Sequence, residues 1–298
     1  MASEPDPDAD AESAAVAEAE GPISQEAVRE TRLTPAQAVE GMRIRLPFRG
    51  NRKLRRVVEA ANEDRRLKGW WHVSNVNAVV RLQINDHSWV HVQIVANIAL
   101  KLLRQLVKHR IEPSVVRDYG MQPDDAEVVV VLAALTHCVG MSVHRRGHED
   151  WSLFLAEPKL RELLAGVYEE PDTTVVVCEV LQAITSHRAD GEPLSLEAGI
   201  LRVADALDMA KGRSRIPFER GQVTMHSLSA AAIDEVRIGD GERKPVQIEI
   251  LMNNSSGIFQ VDELLATKLR GSGLEEHVEV TARIEGEHEK RLVPVFKI

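Results

Sequence analysis

The chain has 298 residues, 44% hydrophobic and 28% charged, enough to bury a large core and build one substantial domain with a smaller one or a tail beside it. Its two cysteines, Cys138 and Cys178, form no Cys-x-x-Cys pair, which excludes a disulfide framework and a cysteine zinc ribbon and fits a reducing compartment. The formal charge of -9 is concentrated at one end: residues 1–30 hold nine acidic groups against Arg29, so the remainder is close to neutral.

That first segment is dominated by Ala, Glu, Asp, Ser and Pro and has no aromatic residue, so it cannot bury enough apolar surface to offset its ordering entropy. A disordered acidic tail is expected. It lacks the basic and apolar regions of a signal peptide, and no run approaches the ~18 apolar residues of a membrane span. The expectation is a soluble, cytoplasmic protein with no membrane partner.

Residues 31–71 read as a basic segment and a lead-in helix. Between residues 41 and 56 stand Arg43, Arg45, Arg49, Arg52, Lys53, Arg55 and Arg56 with no acid among them. Two readings fit: a surface for nucleic acid or phosphates, and a solvated face. The second is favoured because no aromatic stacking platform is interleaved. Met42, Ile44 and Leu46 alternate with Arg43 and Arg45, which predicts a strand ended by Pro47.

From residue 52 the pattern is helical. Leu54, Val57, Val58 and Ala61 form one apolar stripe, and Trp70 and Trp71 close the segment that follows. A long amphipathic helix is predicted over 88–109, with Asp86 or Ser88 as its N-cap. The next, over 124–138, starts at Pro123 and stops at Gly140; apolar nearly all round, it is the candidate central helix. Further helices are predicted at 149–156, 158–167, 172–187 and 195–210. After Pro217 the pattern alternates or runs β-branched at 223–229, 235–238, 246–252, 278–285 and 291–298, with a helix around VDELLATKLRGSG ended by Gly271 and Gly273. The predicted class is α+β: a helical domain over 72–220, then a small α/β domain over 221–298 with a mainly antiparallel sheet. There is no internal repeat.

The chemistry-bearing residues lie in the helical part. His87 and His91 are four apart, as are His144 and His148, so each pair shares a helix face if the helix includes both. His137 ends the most apolar helix, His187 ends another, and Asp205 stands inside the apolar helix LRVADALD, where an unpartnered carboxylate is costly to bury. Any one of these reads as an ordinary hydrogen-bonded residue. Together, imidazoles and a carboxylate spread over several apolar helices are what a transition-metal site in a bundle core requires.

The segments HVQIVANIAL, LTHCVGMSVHRRGHE, ITSHRADGEPLSLEAGILRVADALD and KGRSR resemble, in order, the HD-domain metal-dependent phosphohydrolases over about residues 72–220. The resemblance implies that His91 is the first ligand, that His137 is the histidine of the His-Asp pair, and that Asp205 is the late aspartate. His148 and His187 match the additional histidines of two-metal members. Cys138 replaces the aspartate of the pair. A thiolate there is a sixth candidate ligand, and a buried apolar filler is the other reading of it.

One or two divalent ions, Fe, Mn, Zn or Co, are implied as cofactors, and hydrolysis of a phosphate mono- or diester, nucleotides included, as the reaction. Lys211, Arg213 and Arg188 are candidate phosphate-binding cations, and His87 a candidate proton-transfer group. Arg145, Arg146 and Arg215 flank the same positions, and helix-end or loop charge is the plain reading of each. The alternative function is a ligand-sensing or scaffold module without hydrolase activity. A homodimer is the expected assembly, and nucleic acid through residues 41–56 ranks below a phosphorylated small molecule as partner.

Overall fold

The computed structural model describes residues 33–188, 190–209 and 229–284. The predicted acidic tail, the strand at 291–298, nearly all of that at 223–229, and Lys211, Arg213 and Arg215 lie outside the described residues. The architecture is helical followed by a small sheet.

The first elements are α1 (Pro35–Glu40), α2 (Arg52–Glu63) and α3 (Arg65–Asn75), which continues into a wider turn over Val76–Arg81. Residues 42–48 form no regular element and pair with no strand among the described residues. Met42, Ile44 and Leu46 do point inward, at 7%, 2% and 8% exposure. Side-chain amides take the place of a neighbouring strand. Asn62 accepts from the Ile44 amide at 2.7 Å and donates to its carbonyl at 2.9 Å, while Gln93 accepts from Arg45 N at 2.9 Å. The alternation was thus a sign of one buried face, not of a sheet. Trp70 and Trp71 lie within α3 rather than at its end.

The central layer is α4 (Trp89–Lys108), the short α5 (Ser114–Tyr119) and α6 (Pro123–Thr136). Ser88 caps α4 by accepting from Val90 N at 3.1 Å. In α6 every residue from Val128 to Thr136 is buried, so packing overrides the poor helix propensity of four consecutive valines; each such side chain contributes roughly 1.5–3 kcal/mol when removed from water. Segments Trp89–Lys108 and Pro123–Ser142 are long and apolar enough to cross a membrane by length and composition, contrary to the sequence expectation, but 50% and 89% of their apolar 18-residue windows respectively are buried inside the protein.

Around this core pack α7 (His148–Leu164), α8 (Asp172–Ser186) and α9 (Leu196–Leu207). Two helices were predicted where α7 runs unbroken through Pro158. Pro158 and Phe154, whose carbonyl loses its partner, are both exposed, so water serves the missing bond while Ala156 and Leu160 hold the buried side.

The C-terminal part has β1 (Ile233–Asp240), β2 (Val246–Met252) and β3 (Val278–Ile284), in the order β1-β2-β3. The sheet is mixed: β1 and β2 are antiparallel, whereas β3 runs parallel to β2 after a crossover through a π-helical turn at Gln260–Ala266 and α10 (Thr267–Leu269). Val246, Ile248 and Ile250 alternate inward and belong to the same contiguous apolar cluster as the helices. The crossover docks on α9. A Cβ on Gly199 would lie 2.0 Å from Ser272 O, and buried Arg202 donates to the carbonyls of Thr267 and Arg270. Residues 199, 202 and 205 recur at one helix face, so this docking reaches Asp205.

Replacing Asn62 with Ala strands the buried Ile44 amide and carbonyl, and should lower the unfolding free energy by about 2 kcal/mol or more, read as a shift in denaturant midpoint at unchanged slope.

Candidate metal centre

Five helix ends meet at one pole of the bundle, and each supplies one of the expected residues. His91 sits in the first turn of α4, His137 is the C-cap of α6 with Cys138 next to it, His148 opens α7, His187 is the C-cap of α8, and Asp205 lies in the last turn of α9. All are at most 8% exposed. The imidazole rings form a chain: the centroids of His91 and His137 are 5.2 Å apart, His137 and His187 5.2 Å, and His187 and His148 5.7 Å.

Their location at helix ends fixes their chemistry. The last carbonyls of a helix lack intrahelical donors. His137 Nδ1 approaches Ala134 O at 2.8 Å and His187 Nδ1 approaches Ile184 O at 2.6 Å, each three residues back. His148 Nδ1 lies 3.2 Å from Arg145 O. A carbonyl can only accept, so each Nδ1 carries the proton and leaves Nε2 with the lone pair. His91 follows the same logic with a carboxylate, its Nδ1 standing 2.6 Å from Asp208 Oδ2. Other ends of α6 are served by side chains: Trp71 Nε1 donates to Leu135 O and Ser152 Oγ to His137 O.

His91 Nε2 and His137 Nε2 are 3.2 Å apart, and Asp205 Oδ1 lies 3.5 and 3.7 Å from them. Nitrogen ligands on a tetrahedral ion with bonds of ~2.0–2.1 Å stand about 3.3 Å apart, so these three atoms have the spacing of one coordination sphere. The donor atoms of His91, His137 and Cys138 lie within 4.8 Å of one another, and so do those of Cys138, His148 and His187. Cys138 belongs to both groups. The residues present fit one or two divalent transition-metal ions.

The electrostatics follow. Burial pushes the His137 imidazolium down, but Cys138 and Asp205 outweigh it and hold the group up at about 10. Burial, then repulsion from His137, pushes His187 down to about 3, and burial first also drives His148 well below its ordinary value. Neutral imidazoles are the form that binds metal.

Other expected residues are placed differently. His87 precedes α4 rather than sharing its face; its Nδ1 is 2.8 Å from Asn85 O and its ring 5.6 Å from that of His91. His144 is exposed and accepts from Arg146 N, away from the buried group. Arg188 engages Glu149 Oε2 at 3.6 Å and Asp190 Oδ1 at 3.2 Å. With Gly147, Glu149, Ser186 and Glu192 it lines an open cleft of about 550 Å³, whose walls include the chain neighbours of His148 and His187.

Three participants were missed. Asp208 carried a weak signal, being three residues after Asp205 in the same motif. Gly140 was read only as a helix stop, yet a Cβ there would meet His148 O at 1.9 Å and Ser152 N at 2.5 Å, so only glycine lets α7 approach. Lys268, from the crossover, donates to Asp205 Oδ2 at 2.6 Å and had no signal at all.

Comparison with known proteins agrees with this arrangement. The HD domain family model matches residues 86–210, a stretch that contains all six candidate ligands. An uncharacterized protein of Methanocaldococcus jannaschii is 42% identical over 235 residues, covering 79% of this chain and 89% of that protein. No solved structure matches the chain. The chain belongs to the HD domain family, which points to the metal-dependent phosphohydrolase superfamily.

Two substitutions probe the supports. Asp208→Ala should weaken metal binding by about 10- to 100-fold without unfolding the chain, measured by competition with a chromogenic chelator. Gly140→Ala should push the start of α7 away, lowering stability by about 1–3 kcal/mol and weakening binding at the His148 side more than at the His91 side.

Proposed function

We propose that the chain is a metal-dependent phosphohydrolase acting on a phosphate mono- or diester carried by a small molecule or nucleotide. The observation that supports it best is the convergence of four buried imidazoles, each with Nδ1 held by an acceptor, on one pocket shared with Asp205 and Cys138. His91, His137, Cys138 and Asp205 would hold one ion, and Cys138, His148 and His187 would hold a second. A divalent ion in this setting supplies Lewis acidity toward a phosphate oxygen and a bound water acidic enough to act as hydroxide near neutral pH.

The chain's own residues do the rest. Asp208 sets the tautomer of His91, and Lys268 holds Oδ2 of Asp205 so that Oδ1 is left toward the histidine pair. Lys268 and Arg188 bring positive charge to opposite members of the ligand set, where guanidinium suits phosphate oxygens bidentately. His87, beside His91, is the group assigned to moving a proton to the leaving oxygen. Apolar Ala78 and Met141, both fully buried, wall off Cys138 from water.

A second reading, a sensing or scaffold module without turnover, is favoured by one observation: the cleft beside His148 and His187 carries Glu149, Asp150, Asp190 and Glu192 against Arg188, a poor welcome for an anionic substrate.

Elemental mass spectrometry and a panel of phosphate esters, run on wild type and His137→Ala, separate the readings. The phosphohydrolase reading expects bound transition metal and hydrolysis in the wild type, with metal reduced and turnover down at least about 100-fold in the variant, the scale of losing an electrostatic or general acid–base contribution. Metal bound without hydrolysis of any ester moves the assignment to the sensing module. No metal in the wild type ends the phosphohydrolase reading.

A further inference from the structure

We propose that Cys138 Sγ bridges the two ions, and that this thiolate makes the pocket select thiophilic divalent metals, Zn2+, Fe2+ or Co2+, over the harder Mn2+ and Mg2+. The inference rests on the metal-centre reading above and concerns which metals that centre takes.

The two donor groups, His91/His137/Cys138 and Cys138/His148/His187, have one member in common. A residue that bridges two ions must stand within reach of both nitrogen pairs at once, and among the described residues Cys138 is the one common to both groups. The backbone holds it there. It follows the C-cap of α6 and begins the turn Val139–Ser142, its carbonyl accepts from Ser74 Oγ at 3.4 Å, and Asn77 Nδ2 anchors the end of that turn at Met141 O, 2.7 Å away. On one side stand Ala78 and Met141, both 0% exposed; on the other stand the imidazoles.

A side chain that only filled space would need no donors around its sulfur. Here four histidine nitrogens surround it, and Cys138 is 5% exposed, so water cannot solvate a thiolate. Ions on both sides are the compensation the pocket offers. Binding two M2+ would leave Cys138 as a doubly coordinated thiolate and His137 as a neutral imidazole, the protons that the two groups hold in the metal-free pocket going to solvent. Sulfur can bridge through two lone pairs on a single atom, whereas a carboxylate bridges through two oxygens. The softer donor then biases the whole site: thiolate with imidazole suits Zn2+, Fe2+ and Co2+, and a carboxylate in its place suits Mn2+ and Mg2+.

The test is titration of metal-stripped full chain with Co2+, followed by absorption and electron paramagnetic resonance. The expected result is two ions per chain, a near-ultraviolet sulfur-to-cobalt charge-transfer band that grows over both equivalents, and loss of the first ion's resonance as the second enters and couples to it. Cys138→Asp, its fold checked by circular dichroism, should keep two ions, lose the band, and shift preference from Co2+ toward Mn2+ by at least about tenfold, the scale on which ligand surroundings tune affinity. Should that variant fail to fold, the wild-type spectrum and Cys138→Ser decide.

Bound Co2+ without a sulfur band, or a band complete at a single ion with saturation there, overturns the bridge and leaves the metal centre standing. Failure to bind Co2+, Zn2+ or Mn2+ at all overturns the metal centre and the bridge with it.

Discussion

Two imidazole nitrogens face each other across 3.2 Å, and their partner nitrogens are already committed. His91 Nδ1–H donates a hydrogen bond to Asp208 Oδ2, and His137 Nδ1–H donates to Ala134 O. Both Nε2 atoms therefore present lone pairs to the same small volume, an arrangement that favours a positive group between them. A proton on His137 is one solution, since Cys138 and Asp205 outweigh burial and raise that imidazole above its ordinary value. A metal ion is the other, because the same spacing is that of neighbouring ligands on one ion.

The fold is arranged to create this constraint. Helix ends leave carbonyls without donors, and a histidine placed just past the end satisfies the carbonyl three residues back with Nδ1, which aims Nε2 outward from the helix. α6 and α8 both end this way, and they pack together in the core, so the two rings meet edge to face. Burial of α6 on every side fixes where its end falls. Gly140 then lets α7 come in close enough for His148 to join, and the docking of the crossover on α9 brings Lys268 to Asp205. The C-terminal part is thus tied to the same site that the helical part builds, although none of the six candidate ligands comes from it.

Much of the site was legible because ligand residues are rare inside apolar helices. His137, His187 and Asp205 stood out as polar groups at or near the ends of apolar runs, and the motif order supplied His91 and His148. The supports were not legible. Lys268 reaches Asp205 across 63 positions from a predicted helix where it reads as one more surface cation, and Asp208 looks like any carboxylate at a helix end. The four-residue spacings misled for His87 and His144, since their helices begin after them. In the fold, the alternation at 42–46 marked a buried face, but only three dimensions show Asn62 and Gln93 standing in for a strand, and Pro158 marked a helix break that packing overrode.

The central claim is that the cation between the histidines is a metal. A crystal structure of the protein grown with Zn2+, with data collected on both sides of the zinc absorption edge, tests it directly. The account predicts an anomalous peak bounded by His91 Nε2, His137 Nε2 and Asp205 Oδ1, and a second on the far side of Cys138 Sγ next to His148 and His187. An ordered pocket with no anomalous density, and with His137 hydrogen-bonded directly to His91, would contradict it.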